Sequence, residues 1–285
     1  MTIKQPTNIR FAFFGTSHIA AHVLDALEEN GFLPQLVVTP SSKPQGRSKE
    51  IVPCAVEVWA TARAIPVRHD HEIGNDWDVC VVADYGRILP QALLNIPRHG
   101  FLNVHPSLLP RLRGASPMRT AILTDEKNTG VTIILLDDKM DHGPIVAQKQ
   151  IDISPWPPHL ADMERTLMRA GGALLAQILP AWIAGDIEVR PQMHDLATFC
   201  GKLTKEDGLL DLAAPAYDNL LKIRALEGWP GAYAFFERNG ARIRVQILDA
   251  TIESNSLKIL RVKPEGKQEM SYDDFLRGGA KPVKN

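Results

Sequence analysis

Cysteine and net charge are both scarce in this 285-residue chain. Cys54, Cys80 and Cys200 lie far apart and form no C-x-x-C pair. Such a set argues against a disulfide framework and a thiolate zinc site. Cys80, inside an apolar run, reads as a small core residue. No run of 18 apolar residues occurs, so no membrane-spanning segment is expected. The opening MTIKQPTNIR has no apolar core of the secretory kind, which makes the cytoplasm the expected compartment. A formal charge of −1 supplies no chain-wide attraction for a polyanion, so nucleic-acid contact would need a local patch. The turn Gly15-Thr16-Ser17 lacks G-x-G-x-x-G, which argues against a nicotinamide cofactor, and His18 and His22 lack the Glu of H-E-x-x-H, so no metal is expected. His69-Asp70-His71 reads as a surface loop.

What is present is an alternation of apolar strands and amphipathic helices. IRFAFFG (9–15), FLPQLVVTP (32–40), IPV (65–67), DVCVVAD (78–84), GFLNVH (100–105) and GVTIILLD (130–137) read as strands. Helices are expected over 17–30, 50–64, near 115–123 and over roughly 159–184, with 144–153 returning as an edge hairpin. This pattern predicts an α/β unit with a mostly parallel, Rossmann-like sheet. Beyond Gly185 comes a loose connector, then short strands with turns such as Asn239-Gly240, which predict a small β-rich second domain over about 205–285. Trp229-Pro230-Gly231 reads as a packed turn, and the last eight residues as a disordered basic tail.

Ligands of open α/β sheets bind beyond the carboxyl ends of the strands. Polar residues gather there: Asp84, Tyr85 and Gly86 after one strand, Asn103 and His105 ending another, and Asp137, Asp138, Asp141 and His142 after a third. The period of 2 points Asn103 and His105 to the same side. An amide can donate to a developing oxyanion, an imidazole can relay a proton, and a nearby carboxylate can orient that imidazole. The trio suits acyl or formyl transfer to an amine without a covalent intermediate, since Ser107 lacks the G-x-S-x-G elbow of a serine nucleophile. Taken alone, Asn-x-His at a strand end is more often a set of turn hydrogen bonds, and Asp141 a turn aspartate.

NVHPSLLPRLRGASP (103–117) followed by GVTIILLDDKMDHGPI (130–145) resembles the signature of the 10-formyltetrahydrofolate-dependent formyltransferases, Asn-x-His-x-Ser-Leu-Leu-Pro and then Asp-x-Gly. The interval from Asn103 to Asp141, 141 − 103 = 38, is similar to that family's. KLTKEDGLLDL (202–212), ALEGWPGAYAFF (225–236) and LRVKPEGKQEMSYDDFLRG (260–278) resemble the C-terminal domain of the family's tRNA-directed branch, an open barrel related to the oligonucleotide-binding fold. The resemblance implies a catalytic domain over 1–189, a linker over 190–204 and a tRNA-binding β-barrel (OB-like) over 205–285. It implies Asn103, His105 and Asp141 as the catalytic trio. Tyr85, Gly86, Ser107, Leu108, Leu109 and Pro110 would contact 10-formyltetrahydrofolate, the co-substrate. Lys43, Arg47 and Lys49 would approach the acceptor end of initiator methionyl-tRNA. A monomer without a membrane partner is expected. Asp84, His142 and Leu112 depart from the family's usual residues. Other acceptors on the same core are a nucleotide-linked amino sugar, glycinamide ribonucleotide or water, and a binding module without catalysis is a further alternative. The basic loop and C-terminal motifs favour tRNA, and the intact trio favours catalysis.

Overall fold

The strand β1 (Phe11–Gly15) is apolar along its length and buried at all its positions, as a strand covered on both faces must be. Its pleat sorts the side chains, with Phe11 and Phe13 entering one core and Ala12 and Phe14 the other. The computed structural model describes residues 9–41, 44–45 and 50–283. Beside β1 lie β2 (Leu36–Val38), β3 (Val67–Arg68), β4 (Val79–Ala83), β5 (Phe101–His105), β6 (Thr129–Leu135) and β7 (Ile145–Ile151). Their order across the sheet is β7-β6-β5-β4-β1-β2-β3. The strands from β3 to β5 are parallel, while β6 and β7 run antiparallel to their neighbours. The sheet is therefore mostly parallel and Rossmann-like, with the expected edge hairpin at 145–151.

One direction differs from the sequence reading, which runs 130–137 with the other strands. Leu102 faces Leu135 and His105 faces Thr132, so the carboxyl end of β6 lies at the amino end of β5. A parallel neighbour needs a crossover helix packed on the sheet. The helix between β5 and β6, α3 (Pro117–Leu123), instead packs on a helix of the second compact unit, α5 (Ala216–Ala225).

Ser17 caps α1 (His18–Glu29) by accepting from the Ile19 N–H at 3.1 Å. The helix α2 (Ala55–Thr61) starts later than the expected residue 50. Pro53 disfavours helical backbone at Val52, and Glu50–Ile51 pair antiparallel with Pro44–Gln45 instead. The helix α4 (Leu160–Ala184) is long and apolar enough to cross a membrane by length and composition, yet Leu167, Met168, Leu175 and Leu179 are buried in the protein core. At Gly171 an added Cβ would stand 2.5 Å from the Val104 side chain, so this helix packs closely against the sheet at β5.

By internal contacts the chain divides into one unit of Met1–Gly114, Asn128–Asp152 and Glu164–Phe199, and another of Ala115–Lys127, Ile153–Met163 and Cys200–Asn285. The second contains an antiparallel sheet of β8 (Tyr233–Arg238), β9 (Ala241–Glu253) and β10 (Ser256–Pro264). Asn239 and Gly240 both take positive φ in the β8–β9 turn, as a tight hairpin requires. Register shifts near Asp249 bend the long strands over Phe236, Val245, Ile247 and Phe275, giving the small β domain that the sequence predicts. Two details differ. Lys281–Pro282 pair with β8, because that strand presents a free backbone edge, so this part of the tail is ordered. Trp229 is 57% exposed, while the packing of its turn falls to Pro230 and Gly231.

Candidate active site

Asn103 and His105 share the parity of Phe101 on β5 and rise from the same face of the sheet as Phe14 and Tyr85. Both point at one atom. The Asn103 Nδ2 lies 3.4 Å from Asp141 Oδ1, and the His105 Nδ1 lies 3.6 Å from that same oxygen. The second carboxylate oxygen of Asp141 accepts the Gly114 N–H at 2.8 Å. His105 is 4% exposed, and its Nε2 donates to the carbonyl of Leu112 at 3.0 Å. A carbonyl can only accept, so Nε2 holds the proton of the neutral ring. The nitrogen turned toward Asn103 and Asp141 is Nδ1.

Asp141 does not reach this place by standing at the carboxyl end of a parallel strand. The 136–144 loop leaves β6 at the far end and doubles back, with the Leu135 N–H bonding to the Pro144 carbonyl at 3.0 Å. Gly143 makes that return possible, since a Cβ there would lie 1.8 Å from the Leu135 oxygen. Asp141 itself sits at φ 49°, in the left-handed region where Asp is among the better-tolerated side chains.

The turn after β5 is tied internally. The Ser107 hydroxyl donates to the Arg111 carbonyl at 2.7 Å. Thr132, fully buried, donates to the Ser107 carbonyl at 2.6 Å and accepts from the Leu109 N–H at 3.1 Å. Gln148 donates to both Thr132 Oγ1 and the Leu109 carbonyl. Leu109 is buried against Ile134 and Ile145, which leaves Leu108 and Pro110 as the partly exposed side chains of the segment.

An amide, an imidazole and a carboxylate meeting without a serine or thiol nucleophile describe a site for transfer between two bound partners. The family described as "Formyl transferase" matches residues 8–179, and "Formyl transferase, C-terminal domain" matches 202–256. The chain belongs to the formyl transferase family. Among its relatives, the methionyl-tRNA formyltransferase of Chloroflexus aggregans is 38% identical over 95% of this chain and 97% of that protein. That of Halalkalibacterium halodurans is 34% identical over 95% of each. Among solved structures, the N-formyltransferase of Helicobacter canadensis with folinic acid and dTDP-3-aminofucose matches at TM-score 0.63 and 18% identity, over 86% of this chain and 88% of that one, a likeness of fold.

In this formyl transferase, Tyr85 and Gly86 follow β4 on the same side of the sheet. Tyr85 is buried edge-on against Phe14, and its hydroxyl lies 3.0 Å from His71 Nε2. Burial raises the Tyr85 pKa, and burial also lowers that of His71, with the Arg87 cation adding to the effect. His71 is thus half-buried against Tyr85, while His69 and Asp70 of the same tripeptide are exposed. Ser17 Oγ donates to the Asp84 carboxylate, which draws Asp84 to the start of α1. Lys43, Arg47 and Lys49 lie outside the described residues.

The residues that sequence reading missed come from the supposed loose connector. Thr198 accepts the Leu112 N–H at 2.8 Å through its hydroxyl and the Arg113 N–H at 2.9 Å through its carbonyl. It thereby fixes Leu112, held at φ 58°, whose carbonyl receives His105. Gln192 and Arg113, 5% and 4% exposed, bond to each other at 2.6 Å. His194 stacks on His142 with ring centroids 4.1 Å apart and accepts from Arg113 at 2.9 Å. Desolvation, then the neighbouring His142 and Arg113 charges, lower the pKa of His194. No apolar period marks 190–199, so the one available signal was the polar content of a segment between two domains. Among the described residues no group of three His, Cys, Asp or Glu side chains could hold a metal.

Proposed function

We infer that this chain transfers the formyl group of 10-formyltetrahydrofolate to the amino group of methionyl-tRNA. The observation that carries the reading is the convergence of Asn103 and His105 on one oxygen of Asp141, in a chain that shares almost its full length with methionyl-tRNA formyltransferases. The donor set fits the co-substrate's chemistry, because a formyl oxygen needs N–H donors and Asn103 has a second amide hydrogen beyond the one facing Asp141. 10-Formyltetrahydrofolate supplies an activated one-carbon acyl group.

The chain's own residues would then act in sequence. The amine attacks the formyl carbon directly, and the bond from that carbon to the folate nitrogen N10 breaks as the tetrahedral adduct collapses. The proton that Asp141 receives from the amine passes to that nitrogen as tetrahydrofolate leaves. Asn103 donates to the formyl oxygen as charge gathers there, and a donor of this kind lowers the barrier by about 3 to 4 kcal/mol. Protonated His105 carries its second N–H on Nδ1 and donates beside it. Asp141, pinned by the Gly114 N–H, holds the imidazolium and takes up the amine proton. Leu108 and Pro110, with the backbone of Ser107 and Leu109, would bracket the folate against Tyr85 and Gly86. Lys43, Arg47 and Lys49 would meet acceptor-end phosphates, where charge-assisted contacts position without reading sequence. Residues 1–189 would form the catalytic domain, 190–204 the linker and 205–285 the tRNA-binding domain, in a cytoplasmic monomer.

The deciding experiment supplies the purified protein with 10-formyltetrahydrofolate and charged initiator tRNA and scores formyl-methionine. Formyl-methionine at enzymatic rates supports the reading. Absence of product, alongside formylation of a nucleotide-linked amino sugar, would overturn it.

A further inference from the structure

Gln192 sits between a buried cation and the loop that carries Asp141. Its Oε1 accepts from Arg113 Nη2 at 2.6 Å and from Nε at 3.2 Å. Its Nε2 donates to the carbonyl of Asp141 at 2.9 Å and to that of Gly143 at 2.7 Å. The orientation of the amide is fixed by chemistry, since a guanidinium only donates and a carbonyl only accepts. One planar group must here offer an acceptor on one side and two N–H donors on the other. A glutamate has no donor, a lysine no acceptor, a methionine neither, and an asparagine is one methylene too short.

The two carbonyls that Gln192 grips flank the residue pair 142–143, immediately after the left-handed Asp141. That conformation costs of order 1–3 kcal/mol and persists only where surroundings enforce it. Gly114 holds the carboxylate from the opposite side. Asp141 is thus clamped at its backbone by one segment and at its side chain by another. Thr198 does the corresponding service for His105 through Leu112.

We propose that Gln192 is a positioning residue of the transfer reaction, acting through the backbone of Asp141 to hold its carboxylate against Asn103 and His105. The proposal rests on the function inferred above for Asp141. Its consequence is that the connector is part of the active site, since residues 192 and 198 set the geometry of two of the three reacting side chains. Arg113 in turn orients Gln192, so this buried arginine serves the site without touching the reactants.

Gln192→Glu tests it. Glutamate keeps an acceptor for Arg113, so the buried cation stays paired, but it turns lone pairs toward both carbonyls. A misplacement of about 1 Å at a reacting group costs on the order of 100-fold in rate, so kcat should fall by roughly that factor with KM for either substrate little changed. The second readout needs no substrate. Amide exchange at Gly114, whose N–H is donated to Asp141, should quicken by roughly tenfold or more while the amides of β1 and β4 keep their protection. Gln192→Met, similar in size and unable to make any of the four bonds, should give the same pattern if Gln192→Glu does not fold. A kcat near that of the parent, an unchanged Gly114 amide, or acceleration of the β1 and β4 amides by the same factor would each overturn the proposal. A parent protein that does not formylate methionyl-tRNA would sink the inferred function instead, and the Gly114 measurement would still report on the clamp.

Discussion

The Nε2 of His105 donates to the Leu112 carbonyl at 3.0 Å, and this one bond decides which nitrogen of the ring can work. Nδ1 is left to face Asp141 Oδ1, 3.6 Å away, beside the Asn103 amide. The ring is anchored at its back and turns its other nitrogen to the carboxylate at its front. If Asn103 donates to the formyl oxygen as it gains charge, removing that donor costs about 10²–10³ in kcat. Asn103→Ala is therefore expected to lose that factor in kcat with a much smaller change in KM, measured by steady-state formyl transfer. A KM effect as large as the kcat effect would make Asn103 a binding group instead.

Thr132 carries the turn that follows. Its hydroxyl is fully buried, donates once and accepts twice. Valine has almost the same shape and none of these bonds, so Thr132→Val strands the Ser107 carbonyl and the Leu109 N–H. Each buried group left unsatisfied costs about 1–3 kcal/mol. A loss of about 2 kcal/mol or more in urea unfolding is expected, together with a raised KM for the folate. Stability equal to that of the parent would show that other groups or water replace the hydroxyl.

How far the sequence led depends on the kind of constraint. Strands such as FAFFG and VCVVA are buried on both faces and announce themselves by composition. The shared side of Asn103 and His105 follows from a pleat that cannot do otherwise. Direction is different, because nothing in TGVTIIL says whether it runs with or against β5. That is settled by the connection, whose helix α3 packs on α5 within the second unit. The pairing of Asp141 with Asn103 came from the family resemblance alone, and the route that brings Asp141 there, a reversal that depends on Gly143, was not legible. Gln192, Thr198 and His71 were not legible, since their roles come from long-range hydrogen bonds that leave no period in the sequence.

His71 should respond to acid. Its imidazole is held below the usual 6.5, chiefly by burial and then by Arg87, with Asp70 opposing. The unfolded chain therefore takes up this proton first as pH falls. The contribution to stability is complete above about pH 6.5, declines as pH drops from there through the folded value, and levels off below it. The measurement is the urea midpoint against pH for the parent and for His71→Gln, with the histidine resonance followed by NMR. The variant should show the flatter profile as pH falls below 6.5. A His71 resonance that titrates above 6.5 would reverse the sign and refute the assignment.

The basic loop gives a different signature. If Arg47 meets acceptor-end phosphate, Arg47→Ala should raise KM for methionyl-tRNA and reduce its dependence on salt, since one released counterion fewer lowers the slope by about 1. Folate affinity, measured by fluorescence quenching, should stay that of the parent. An equal loss for both ligands would place Arg47 at the folate instead.

Gly143 offers the most direct test of the loop's path. A Cβ at that position would stand 1.8 Å from the Leu135 carbonyl oxygen, a backbone atom that is itself fixed in the sheet. Alanine can enter only if 141–144 moves off β6. That movement breaks the Leu135–Pro144 bond and the grip of Gln192 on the Gly143 carbonyl, and it carries Asp141 away from Asn103. Overpacking of this kind costs about 1–3 kcal/mol, so Gly143→Ala should fold with a lowered melting temperature. Its kcat should fall nearly as far as that of Asp141→Ala, because the same carboxylate is lost to the site. Methionyl-tRNA and folate should still bind, since neither is expected to touch residue 143. A Gly143→Ala protein with the turnover of the parent would mean that the loop reaches Asn103 and His105 by a path other than the doubled-back one seen here.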